Sequence, residues 1–460
     1  MAVFDGVSTA VSVPGEAGYE AATRVFNLAA PARPSAATTA RTVGQVQAAL
    51  EHARAKGLGV RVHSTGHAAG SGGPMDGALL VRTEMDGTVE IDTARRVARI
   101  PAGTSWGPVV DAACAHGLAV AHGSSPTVGV VGYLLGGGLS PYGRQLGLAV
   151  NSVRAIELVT ADGEPRRVDA GHEPELFWAL RGGGGGFGVV TAVEVGLFEA
   201  AGVVTGSTYW AAEHAEPLLR RWLRWTRGAP RAVTTSLRLM NLPPVPDVPP
   251  ALVGESVAVD GAVLVPAGGD PATAQRLADQ MLRPLLAVAD PVMHAWSFTS
   301  LSGALHAHMD PTEPVPFTGD HMLLGDLDAE AVDAFLRLFG PGSGSPLVIA
   351  GLRQLGGAFT ESGPDGGALA RVEAPYSYAG SGVPVDAAAA RALDEHRALA
   401  RTALRPWDTG LTVPSFVESF TQPQRHLDAA SVRRADRVRA EVDPDGLFRG
   451  DVAPNATALY

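Results

Sequence analysis

Residues 61–70 read RVHSTGHAAG, an extended apolar run that ends in a bend of small residues with His67 at its tip. Thr65, Gly66, Ala68 and Ala69 put no bulk beside that imidazole. Two further glycine-rich stretches follow: HGSSPTVGVVGYLLGGGLSPYG, with seven glycines between Gly123 and Gly143, and RGGGGGFG at 181–188. Glycine admits backbone angles that other residues avoid and removes the side chain where a ligand must touch main chain. Consecutive N–H groups in such a bend form a nest that holds a diphosphate without any basic side chain. This suits a chain whose formal net charge is −11.

Other chemistries are excluded or poorly supported. The formal GxGxxG match at Gly183, Gly185 and Gly188 has a helical pattern before it and a strand pattern after it, the reverse of a nicotinamide-dinucleotide fingerprint. Lys56 is the only lysine and stands in no GxxxxGK[ST] context, so a Walker-type loop is ruled out. A solvated charge at a helix end suits Lys56 better than a Schiff base. Cys114 is the only cysteine, which forbids an intrachain disulfide or a cysteine metal cage and suggests a small core residue. His306-Ala307-His308 could put two imidazoles on one face of a strand, with Asp310 or His321 completing a site, but isolated HxH pairs are usually incidental, and no metal is expected.

These loops need elements to hold them. A chain of 460 residues suggests two domains, and 46% hydrophobic with 18% charged residues is a globular composition. No basic run marks a nucleic-acid or anionic-membrane partner, so a small molecule is the expected one. The first residues lack a signal-peptide pattern and no stretch of about 18 apolar residues occurs, so a cytoplasmic protein is expected.

Thr42 and Gln45 stand at capping-box spacing before apolar Val46, Ala49, Leu50 and Ala53, with Gly57 as a stop, which predicts a helix. LGVRVH then alternates as a strand and delivers His67 just beyond its end, where α/β folds place ligands. GALLVRT, TVEID and RVARIPAG read as short strands, WGPVVDAACAHGL as a helix, and SVRAIELVTADGEPRRVDA as a hairpin turning at ADG. Beyond about residue 200 the glycine loops fade. Asp270 and Pro271 open a helix with Leu277, Met281, Leu285 and Val288 along one face; DLDAEAVDAFLRLFG is another, PLVIAGLRQLGG and ALARVEAPYSYA read as strands, and NLPPVPDVPPALVG as a surface loop. Mixed helices and strands predict an α+β unit on a mostly antiparallel sheet.

Taken in order, TGH at 65–67, GALLVRTEMDGTVEID, AGTSWGPVVDAA, HGSSPTVGVVGYLLGGG, GRQLGLAVNSV and ELFWALRGGGGGFGVVT resemble the FAD-binding domain of the vanillyl-alcohol-oxidase superfamily, of PCMH type. The likeness covers residues 20–200 and is to its berberine-bridge-enzyme-like oxidoreductases. It implies an α+β protein: an FAD-binding domain of two α/β subdomains at 1–200, an α+β substrate domain with a mostly antiparallel sheet and flanking helices at 201–410, and a C-terminal segment at 411–460 that returns to the first domain. In that family the histidine of the (G/T)GH loop is attached to the flavin 8α-methyl, and His67 occupies its position. Members with two links use a cysteine in a GxCPTVG-like stretch; here Ser125 stands there, which implies a single histidyl link.

The same resemblance places Ser64, Thr65, Gly66 and Ala68 around the attachment and the diphosphate, and Thr127, Val128, Gly129, Gly132, Tyr133, Gly137 and Gly138 around the cofactor. It adds Gly183, Gly188 and Val189. VRAEVDPDGLFRGDVAP resembles the family's closing KxxYDPxxLF pattern with valine at 442 for tyrosine, and the usual YGxN-like element upstream is missing. Oxidation of an alcohol requires hydride transfer to the flavin and a base for the hydroxyl proton. Family members use tyrosine or glutamate, so Tyr376 and Tyr378 in APYSY, Tyr142 beside the GGG loop and Glu418 in SFVES are the candidates. The expectation is a flavoprotein oxidase acting on an alcohol, sugar or specialised metabolite, with O2 as electron acceptor. The alternatives are a cyclase on the same flavin fold and a catalytically degenerate ligand-binding member.

Overall fold

The computed structural model describes residues 10–363, 365–450 and 452. Local signals set the first elements. The Thr42 hydroxyl accepts the Gln45 amide at 3.2 Å while Gln45 Oε1 accepts the Arg41 amide at 2.7 Å, and helix Val43–Lys56 ends at Gly57. Its buried stripe of Val46, Ala49, Leu50 and Ala53 lies on a three-stranded parallel sheet ordered Ala36–Ala40, Ala78–Thr83, Gly59–His63.

A second, antiparallel sheet follows the order Glu90–Asp92, Val97–Pro101, Val189–Gly196, Val153–Val159, Pro165–Asp169, and its last two strands are the hairpin turned at ADG. Its core is shared with helices Trp106–Cys114, Val130–Leu135 and Pro174–Leu180 and with the C-terminal helix Ala429–Val442. The DPDGLF motif closes this unit. Asp443 accepts the amides of Leu447 and Phe448, each at 2.8 Å, so that Phe448 bridges to Val60 beside the strand that leads to His67.

The large sheet has eight strands, all paired antiparallel. Its path runs Met293–Thr299, Phe198–Ala211, Gly254–Pro266, Val233–Leu242, Ile349–Gln354, Tyr376–Gly382, Thr318–Leu324, with Leu118–Ala119 joined to Phe198–Ala211. Successive side chains on a strand point to opposite faces. Val257, Val259, Val263 and Val265 therefore pack with helices Ala215–Thr226, Pro271–Leu286, Ala329–Phe339 and Ala387–Leu404, while Asp260 turns the other way. No helix among the described residues is long and apolar enough to cross a membrane.

Three expectations change. ALARVEAPYSYA is a strand only from Tyr376, because the amides of Ala368, Leu369 and Val372 are taken by the carbonyls of Trp178, Arg181 and Phe359. His306 ends a 3-10 helix, Leu301–His306, so the HxH pair is not on a strand. Cys114 lies half-buried at a helix end rather than inside a core.

Candidate active site

The bend after Gly59–His63 depends on Gly66, which has φ +76 and whose Cβ, if present, would stand 2.6 Å from the Val25 Cα. Phe26 and Asn27 donate their amides to the carbonyls of Thr65 and Gly66. The Phe26 ring then stacks on His67 at 3.8 Å with a 12° interplanar angle. On its other edge, His67 Nε2 lies 3.0 Å from Thr127 Oγ1, which lies 3.0 Å from Ser125 Oγ. Burial lowers the His67 pKa to about 4, so the imidazole is neutral at physiological pH and keeps a nucleophilic lone pair. Ala68 is exposed beside it, and Ser64 touches the loop opposite, where a Cβ on Gly129 would come 2.6 Å from its Oγ.

The Thr127–Gly138 loop is tied down at its start. The amide of Trp106 reaches the Val128 carbonyl and that of Val130 the Thr104 carbonyl, and Gly132 is exposed with open space where a side chain would be. Tyr133 is buried edge-on to Trp106, 5.5 Å between centroids. Gly137 and Gly138 bend back around it at positive φ, and a Cβ on Gly138 would strike the Tyr133 ring. In the pentaglycine turn Gly184 donates to the Leu135 carbonyl at 3.2 Å, a Cβ on Gly183 would strike the Ala179 carbonyl and one on Gly188 that of Val159, while Val189 is fully buried.

Two buried hydroxyls at this loop, those of Tyr133 and Ser415, have no hydrogen-bond partner among the described residues, although the Ser415 amide is spent on the Gly136 carbonyl. Buried polar groups are rarely left so. Unpaired donors beside bare main chain fit a bound ring that carries carbonyl and ring-nitrogen acceptors, as FAD does.

Across from the loop, the large sheet presents charge. Arg238 Nε and His308 Nε2 each lie 2.8 Å from the Asp260 carboxylate, one on each oxygen. Arg238 also donates to the His308 carbonyl at 3.2 Å. Burial would raise Asp260, but His308 and Arg238 outweigh it and hold the pKa at about 2. Arg353 donates to the Leu139 carbonyl, at the end of the glycine loop, and Ser124 donates to Asp310 at 3.0 Å, joining the two walls. Ser124, Thr234, Ser236, Asp260, His308 and Arg353 line a small cleft.

The four expected acid–base candidates take these positions. Tyr376 and Tyr378 do share a face of their strand, but it is the helix-packed one. Tyr376 Oη meets Thr226 Oγ1 at 2.7 Å, and Tyr378 stacks on Phe339 at 5.3 Å. Ser377, between them, faces the other way and meets His321 Nε2 at 2.8 Å. Tyr142 is buried, donating to the Leu301 carbonyl at 3.3 Å, and burial pushes its pKa up. Glu418 is half-buried with its carboxylate turned inward against Gly319, on the last strand of the path, and desolvation, reinforced by Asp320, raises it to about 8. Arg238, Asp260 and Arg353 escaped the sequence reading. Their signal is one charge inside an apolar strand, as in VAVDGAVLV and AGLRQL. No cluster of three or more metal-ligating side chains occurs among the described residues.

The FAD binding domain family matches residues 34–169. Beyond it, (R)-6-hydroxynicotine oxidase of Paenarthrobacter nicotinovorans is 34% identical over 207 residues, 45% of this chain and 45% of that protein. A carbohydrate oxidase of Microdochium nivale is 30% identical over 208 residues, 44% of this chain and 42% of that protein. The chain thus matches somewhat under half the length of these curated relatives. The fold likeness runs further: the solved structure of BBE-like 1 from Physcomitrella patens superposes with a TM-score of 0.83 at 18% identity, covering 98% of both chains. The flavin domain and the large sheet together therefore have the berberine-bridge-enzyme-like fold.

Proposed function

We propose that the chain is an FAD-dependent oxidase with its flavin attached through His67, taking a hydride from a small organic molecule held in the cleft and passing the electrons to O2. The observation that carries this reading is the neutral His67, clamped between Phe26 and Thr127 at the head of the glycine loop and facing the charged cleft across Ser124. A neutral imidazole is the form that attacks an electrophilic methyl carbon. Ser125 offers no thiol, so a second, cysteinyl link does not form there. Ser64, Thr65, Gly66 and the Thr127–Gly138 main chain would hold the cofactor, with the Tyr133 and Ser415 hydroxyls as donors to its ring. Bound there, the flavin supplies a two-electron acceptor. The chain's own residues orient the substrate, exclude water and move its proton.

The reading divides the chain into a flavin domain at 1–200, a substrate domain at 201–410 and a returning segment at 411–460. A role in specialised metabolism fits an oxidase of this kind. Acid precipitation of the purified protein beside His67→Ala tests the attachment. Flavin fluorescence stays in the wild-type pellet and moves to the supernatant in the variant; release from both proteins would overturn the tether.

A further inference from the structure

The segment His306–Asp310 brings two chemistry-bearing side chains to the cleft. Met309 has φ +53, a left-handed conformation that side-chain-bearing residues rarely adopt and that concentrates at functional sites. Met309 itself is exposed, while its neighbours reach inward, His308 to Asp260 and Asp310 to Ser124. Asp260 is an ionised acceptor fully enclosed by the fold, and His308 Nε2 lies 2.8 Å from it, leaving Nδ1 as the ring nitrogen not engaged with the carboxylate. Nδ1 has no hydrogen-bond partner among the described residues, and His308 lines the cleft together with Arg353. Arg238 holds the remaining charge of Asp260 and the main-chain carbonyl of His308, anchoring the imidazole from both sides.

We propose that His308 is the base of the oxidation, with Asp260 and Arg238 as positioning residues. The assignment rests on the flavin-oxidase reading above. A substrate H–C–X–H, an alcohol or an amine, gives its X–H proton to Nδ1, and the electron pair of that bond closes the C=X double bond. The C–H hydride goes to the flavin, and O2 with two protons carries the electron pair away as hydrogen peroxide. The charged groups around the imidazole are Asp260, Arg238, Arg353 and Asp310.

Two measurements on the FAD-loaded protein decide it. In ¹⁵N-histidine-labelled protein at pH 8, with the resonance assigned by its loss in His308→Asn, His308 is neutral with hydrogen on Nε2, and Asp260→Asn disturbs that tautomer. An imidazolium, or hydrogen on Nδ1, overturns the assignment. With an alcohol or amine that bleaches the wild-type flavin anaerobically, His308→Asn lowers the reduction rate about 10²–10⁴-fold at unchanged flavin content, and added imidazole restores part of the rate in His308→Ala. Equal rates in wild type and variant overturn the base alone. If no alcohol or amine bleaches the wild-type flavin, the oxidase reading falls and the base with it.

Discussion

Asp260 and Glu418 both turn carboxylate oxygens away from water at the large sheet, yet they end in opposite states. Asp260 has a guanidinium and an imidazole at 2.8 Å and is held at about 2. Glu418 forms no ion pair among the described residues, and its neighbour Asp320, itself paired with Arg401, adds to the burial that raises it to about 8. Burial acts the same way on both; the partner decides the charge. A buried carboxylate in the sequence thus says nothing of its role until its neighbours are known. Here the ionised one lines the cleft and the raised one packs at the sheet edge.

Removing the charge on each side sharpens this contrast. Asp260→Asn leaves Arg238 buried without its counter-charge, at a cost of about 3–5 kcal/mol in urea unfolding at pH 7. Replacing both together, Asp260→Leu with Arg238→Met, recovers most of that loss. If the single variant proves neutral, the pair does not hold the sheet face together. Because folding lowers Asp260 from 3.8 to about 2, its contribution is present above about pH 4 and fades as pH falls toward 2.

Glu418 has the opposite sign. Its pKa rises from 4.5 to about 8, so the folded state binds the proton more tightly, and stability declines as pH climbs between those values. Glu418→Gln abolishes that decline. The variant gains up to about 4 kcal/mol over wild type at pH 8 and nothing below pH 4, read from denaturation midpoints at a series of pH values. A parallel pH dependence in both proteins would contradict the contrast.

The smallest effect concerns the face turned from the cleft. Tyr376→Phe loses the bond to Thr226 and costs about 1 kcal/mol, while flavin reduction by substrate changes less than about twofold. A large loss of rate would return Tyr376 to the chemistry.

Much of the flavin domain was legible in the sequence because its signals are local. Thr42, Gln45 and Gly57 delimit a helix through caps, ADG closes a hairpin, and Gly66 turns a bend that only a residue lacking Cβ can take. The cleft was not legible in the same way. Its charged residues come from separate strands at 238, 260 and 353 and from a loop at 308, and APYSY gave no sign of which face its tyrosines would take.

The sequence by itself determined the mixed α+β class, the position of His67 beyond a strand end and the lack of a thiol at Ser125. Each follows from residue type and spacing over a few positions, which short-range sterics and hydrogen bonding read directly. Only the tertiary structure decided which carboxylate is ionised, which imidazole meets Asp260 and which face of each strand the helices cover. Those outcomes depend on strand register and on which surfaces pack away from water, and neither is encoded within a single segment.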